Sequence, residues 1–159
     1  MPHQQKLHCA FYSIPKDMKP YLRQHLKGMT VTLSEAPLTK DNLDLDANVL
    51  GVFVDSTVTK EMIDLCPKLE LILTMSTGYD HIDLVAAKKR HIPVCNVPTY
   101  GENTVAEHAM ALILALSRRL FESVQRVKEG VFDYHGLRGF DIKGKTIGVI
   151  GTGRIGLHL

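Results

Sequence analysis

Val49-Leu50-Gly51-Val52-Phe53-Val54 is a nearly all-apolar run. Such continuous hydrophobicity, without in-and-out alternation, marks a strand covered on both faces, as in a parallel sheet. The first hundred residues alternate between short β-rich runs of this kind and helical stretches. Strands are expected at residues 7–14 and 29–33 before this run, and at 69–75 and 92–97 after it. Between them, Pro20 can open a helix that Gly28 closes. Thr59 can cap a second, which must stop before Pro67. Asp83 can cap a third, whose last turn carries Lys88, Lys89 and Arg90 against the negative end of the helix dipole. Five strands alternating with helices read as a doubly wound α/β sheet with right-handed crossovers. Ligands in such sheets sit beyond the carboxyl ends of the strands. Three loops are expected there: Asp55-Ser56-Thr57, Ser76-Thr77-Gly78 and Pro98-Thr99-Tyr100-Gly101.

A long helix is expected over residues 105–129, ended by Gly130 at its C′ position. Thr104 and Glu107 have the spacing of a capping box at its start. Residues 105–116 are apolar nearly all round, so this helix needs cover on every side, from a second domain or a second subunit. Arg118, Arg119 and Arg126 read as a solvated face.

Near the end, residues 145–150 read as a short strand running into Gly151-Thr152-Gly153-Arg154-Ile155-Gly156. The three glycines fit a tight turn, close approach of a pyrophosphate, and close packing of helix on strand. The helix that follows would offer free N–H groups to phosphates. The chain stops at Leu159, before the acidic residue expected about 20 positions on to hold a ribose. One strand and a short helix cannot bury a core, so the expectation is a piece of a larger protein.

Composition narrows the function. The 159 residues carry 19 basic and 17 acidic side chains, a net charge of +2 that is too small for a phosphate-tracking surface. Ala109 to Leu116 is an apolar run of eight residues, well short of the roughly 18 a bilayer span needs. Residues 1–6 lack the apolar core of a secretory leader. Nucleic-acid, membrane and secreted classes are therefore not expected, and a cytoplasmic protein is. Cys9, Cys66 and Cys95 form no C-x-x-C and read as buried, reduced thiols. The eight histidines show no zinc-site spacing, so no metal is expected.

Three segments together resemble the D-isomer-specific 2-hydroxyacid dehydrogenases, near their D-lactate dehydrogenase-like members. They are Ser76-Thr77-Gly78-Tyr79-Asp80-His81-Ile82-Asp83, the stretch from Asn96 through Pro98, Tyr100 and Glu102 to His108, and Gly148 to Gly156. The resemblance implies a flavodoxin-like substrate domain over residues 1–98. Residues 99–159 would form a linker helix and the start of a truncated Rossmann domain. It implies hydride transfer between NAD(H), with NADP left open, and a small D-2-hydroxy or 2-oxo acid, by a homodimer.

Under the resemblance, the N–H groups of Ser76, Thr77 and Gly78 receive the substrate carboxylate. A glycine-containing turn at a strand end can present successive donors in this way. Tyr100 matches a position lining the substrate cleft; the alternative for its amphipathic ring is to cap the linker. Val105 matches a position abutting the nicotinamide. Gly151, Gly153, Arg154, Ile155 and Gly156 match the pyrophosphate turn. The family's catalytic arginine, glutamate and histidine belong downstream of Leu159, so no catalytic residue is assigned and the chain alone is expected to be inactive. Glu107 and His108 make a poor substitute dyad, since helix neighbours point about 100° apart. Asp55 departs from branches that carry a basic residue there, and it disfavours substrates with a second anionic group. The competing expectation is a non-catalytic, corepressor-like binding module on the same scaffold.

Overall fold

The computed structural model describes residues 6–159. The reading of residues 1–6 as lacking a leader's apolar core falls almost wholly outside them. The chain divides into two compact units, one ending at Pro98 and the other running from Thr99 to Leu159.

The first unit is a five-stranded parallel sheet built from β1 (His8–Phe11), β2 (Thr30–Leu33), β3 (Val49–Val52), β4 (Leu71–Thr74) and β5 (Val94–Cys95). Helices α1 (Lys19–His25), α2 (Lys60–Leu65) and α3 (Leu84–Lys89) connect them. The strand order is β2-β1-β3-β4-β5, with Cys9 opposite Val49, Leu50 opposite Ile72, and Ile72 opposite Val94. This is the flavodoxin-like order, whose direction reverses between β1 and β3. Every residue of β3 is buried, as the unbroken apolar run requires. Ala10, Leu50, Val52 and Ile72 pack with Met62 and Ile63 of α2 and Ala86 and Ala87 of α3. The alternate residues Cys9, Phe11 and Val49 pack with Leu22 and Leu26 on the other side.

The strands are shorter than their apolar runs. Tyr12 and Ile14 are buried beyond the end of β1, because hydrophobicity reports burial and not pairing. The expected caps form. Thr59 accepts from the Met62 N–H at 3.3 Å, and Asp83 accepts from the Ala86 N–H at 2.9 Å. Pro20 lies in the first turn of α1, and Gly28 closes the segment at φ +91°. Arg90 does more than complement its own helix. Its guanidinium donates to the carbonyls of Ile63, Cys66 and Pro67, the carboxyl end of α2. Cys95, expected to be buried, is exposed, because β5 is a two-residue edge strand.

The second unit holds α4 (Glu102–Ser117), α5 (Leu120–Lys128) and α6 (Arg154–His158). It corrects four expectations. The single helix over 105–129 is two helices, parted where Arg119 takes a left-handed φ of +51°. The break frees the Ser117 carbonyl to accept the Phe140 N–H at 2.9 Å. The capping box does not form, because α4 starts at Glu102 and leaves Thr104 inside its first turn. Residues 145–150 pair with no strand among the described residues, and Ile150 is fully exposed. Arg126 is anchored, donating to the carbonyls of Asp133 at 3.0 Å and His135 at 2.6 Å. Gly130 ends α5 as expected, with the Val131 N–H returning to the Arg126 carbonyl at 2.9 Å in a Schellman closure.

Candidate functional site

The carboxyl end of β4 turns through Ser76-Thr77-Gly78, and each carbonyl of that turn has a partner. The Ser76 carbonyl accepts from the Val97 N–H at 3.0 Å. The Thr77 carbonyl accepts from the Asn96 side-chain amide at 2.8 Å, and the Gly78 carbonyl from the Ser76 hydroxyl at 2.7 Å. A trans peptide points its N–H opposite its carbonyl. The N–H groups of Thr77, Gly78 and Tyr79 are therefore turned away from these partners. Among the described residues, no backbone carbonyl accepts from Ser76, Thr77 or Gly78. Thr77 and Gly78 are exposed, whereas Ser76 and Thr74 beneath them are buried. The turn thus offers amide donors at a sheet's carboxyl edge, a geometry suited to an anion.

At the β1/β3 reversal point, Ser13 sits in the left-handed region at φ +58°. Its hydroxyl donates to the Asp55 carboxylate at 2.6 Å. The buried Ser56 hydroxyl lies 3.3 Å from the same oxygen and accepts the Leu38 N–H at 2.9 Å. Asp55 therefore places a fixed negative charge beyond β3.

In the second unit, Tyr100 and Val105 are exposed on either side of the start of α4. Glu107 and His108 are both exposed on α4 and share no hydrogen bond. The glycine turn has the geometry its spacing asks for. Gly151 has φ +98°, and a Cβ on Gly153 would meet open space. A Cβ on Gly156 would stand 2.0 Å from the Gly151 carbonyl oxygen. Arg154 and Ile155 open α6, and the Arg154 carbonyl lies 2.6 Å from His158 Nδ1. An extended pyrophosphate needs a backbone surface free of side-chain bulk, and this turn fits it.

The sequence brought Ser76, Thr77 and Gly78 into one turn, and Gly151, Gly153 and Gly156 into another. It did not single out Thr74, His81, Asn96 or Ser13. The available signal was a run of polar side chains at the carboxyl end of an apolar strand. Among the described residues, no group of side chains is arranged to hold a metal ion, and no helix is long and apolar enough to cross a membrane.

Residues 9–150 match the sequence profile of the D-isomer specific 2-hydroxyacid dehydrogenases, catalytic domain. The chain is 40% identical to 2-hydroxyacid dehydrogenase homolog 1 of Schizosaccharomyces pombe, over 94% of this chain and 47% of that one. It is 32% identical to D-lactate dehydrogenase of Escherichia coli strain K12, with the same two shares covered. A crystal structure of D-lactate dehydrogenase from Aquifex aeolicus, complexed with NAD and lactic acid, superposes with a TM-score of 0.86. It shares 36% identity, over 94% of this chain and 46% of that one. The chain spans about half the length of the relatives it matches. With the parallel sheet and the two glycine-bearing turns in place, the chain belongs to the D-isomer specific 2-hydroxyacid dehydrogenase family.

Proposed function

We propose that this chain provides the substrate-binding unit and the first part of the cofactor-binding unit of a cytoplasmic, homodimeric dehydrogenase. That enzyme would interconvert small D-2-hydroxy acids and 2-oxo acids with NAD(H). The observation that carries the reading is the turn at residues 76–78. Its bonded carbonyls turn the Thr77 and Gly78 N–H groups away from their partners, and among the described residues no backbone carbonyl accepts from Ser76, Thr77 or Gly78. The N–H groups of Ser76, Thr77 and Gly78 hold the carboxylate, and Tyr100 is the further residue we assign to substrate binding. Fixed donors cost no reorganisation when the substrate arrives. The Asp55 carboxylate disfavours a second anionic group on the substrate. The backbone of Gly151, Gly153, Arg154, Ile155 and Gly156 holds the pyrophosphate, and Val105 covers one face of the nicotinamide. NAD(H), when bound, supplies or accepts the hydride at C2. We assign the acid/base to none of the described side chains, and the chain alone is proposed to be inactive.

The test is cofactor absorbance with the whole protein, using NADH and NADPH in turn against pyruvate, glyoxylate and longer 2-oxo acids, with product chirality determined. NADH oxidation yielding the D enantiomer is expected. No turnover of any 2-oxo acid with either cofactor overturns the reading and favours a binding module.

A further inference from the structure

The turn at residues 76–78 stands on a chain of side-chain hydrogen bonds whose direction its last member decides. The Gly78 carbonyl can only accept, so the Ser76 hydroxyl spends its single proton there, at 2.7 Å. At the 2.6 Å contact between the Thr74 and Ser76 hydroxyls, Thr74 must then donate. Thr74 has no second proton, so at its 3.0 Å contact with His81 Nε2 it accepts, and the ring nitrogen must carry a hydrogen. The order is therefore His81 Nε2–H to Thr74, Thr74 to Ser76, and Ser76 to the Gly78 carbonyl.

We propose that His81 is a positioning residue for the carboxylate-receiving turn, and that its Nε2–H sets the direction of hydrogen bonds that hold the Gly78 carbonyl inward and its neighbouring amides outward. This rests on the reading of that turn as the substrate's anion site. Thr74 and Ser76 are each 2% exposed, so a reversed hydroxyl there has no water to turn to. The ring's own backbone is fixed from below. The Val58 N–H donates to the His81 carbonyl at 2.9 Å, and the Asp83 N–H to the Val58 carbonyl at 2.9 Å, across the Val58–Ile82 bridge. His81 thus joins the hydrogen-bonded bridge between the loops after β3 and β4 to the turn proposed to face an anion.

Two measurements on the full chain test this. Long-range proton–nitrogen correlation spectra of the neutral His81 ring should show the proton on Nε2. Oxamate, a 2-oxo acid mimic, should shift the amide resonances of Thr77 and Gly78. His81→Leu and Thr74→Val should each weaken that binding about fivefold to tenfold, the effect of one lost buried hydrogen bond. The double variant should be no worse than either single one, because the bonds act in series. His81→Gln, which keeps a donor at similar reach, should restore most of the affinity. A proton on Nδ1 overturns the proposal. So does wild-type affinity in His81→Leu with its other amide resonances unmoved. If the Nε2 proton is found but oxamate shifts neither amide in the wild type, the carboxylate reading falls, and with it the role given to His81.

Discussion

The ring of Phe11 fills the space that a side chain at position 51 would need. A Cβ added to Gly51, its register partner on the adjacent strand, would stand 2.1 Å from Phe11 Cδ1 and 2.5 Å from Cε1. The one glycine inside β3 therefore answers to an aromatic neighbour, and not to a turn or a bulge. Gly51→Ala should destabilise the sheet by about 1–3 kcal/mol, the usual cost of overpacking a core. Urea denaturation measures this, and adding Phe11→Leu should recover part of the loss. An unchanged urea midpoint for Gly51→Ala would show that the ring moves aside freely.

Alkali should weaken the first unit. Burial raises the Cys9 and Cys66 thiols above their usual value of 9.0 and the Tyr12 phenol above 10.0. As pH climbs past those ordinary values, the unfolded chain loses these protons first while the fold keeps them. Stability is therefore full below about pH 9 and falls above it. Urea midpoints across the alkaline range should decline, and Cys66→Ala should flatten the slope. Cys95, exposed at the sheet edge, should react first with a thiol reagent.

Leu112 and Leu116, four residues apart on one face of α4, are 42% and 70% exposed. Monomers seldom leave such a stripe uncovered. Sedimentation should show self-association that Leu112→Glu with Leu116→Glu abolishes. A wild-type chain that stays monomeric at high concentration would remove α4 from the proposed dimer contact.

Gly156→Ala sets a Cβ against a backbone oxygen that cannot rotate away, 2.0 Å off in the present geometry. Amide resonances of residues 151–157 should move while those of the sheet stay. NADH affinity should fall about tenfold, the scale of a lost charge-assisted contact. Unmoved resonances around Gly151 would mean that the turn accommodates a methyl group.

The parts of this fold that local chemistry dictates were readable from the sequence. The apolar run at Val49 located a doubly covered strand, and Thr59, Asp83 and Gly130 marked helix ends by the backbone groups they satisfy. What escaped depends on distant partners. Arg119 breaks the long helix without glycine or proline, through a left-handed turn stabilised where Phe140 docks on Ser117. Thr104 and Glu107 have the capping-box spacing, yet α4 begins one residue past Gly101 and takes them into its interior. Residues 145–150 have the composition of a strand, but a strand needs a neighbour to pair with. The site divides in the same way. Its glycines are visible as letters, while His81 matters only through Thr74, seven residues away in sequence and 3.0 Å away in space.

Arg90 grips α2 by its main chain, through the carbonyls of Ile63, Cys66 and Pro67. A contact of that kind asks nothing of the side chains it holds. Ile63 and Cys66 answer to the core they are buried in, and not to Arg90, so a substitution there that keeps the backbone path leaves this joint intact. Position 90 has no such freedom, since a lysine carries one compact charge in place of a planar fork that reaches several oxygens. Within one joint, then, the contact depends on residue identity on one side only, and the asymmetry comes from which partner offers a side chain and which offers only its peptide groups.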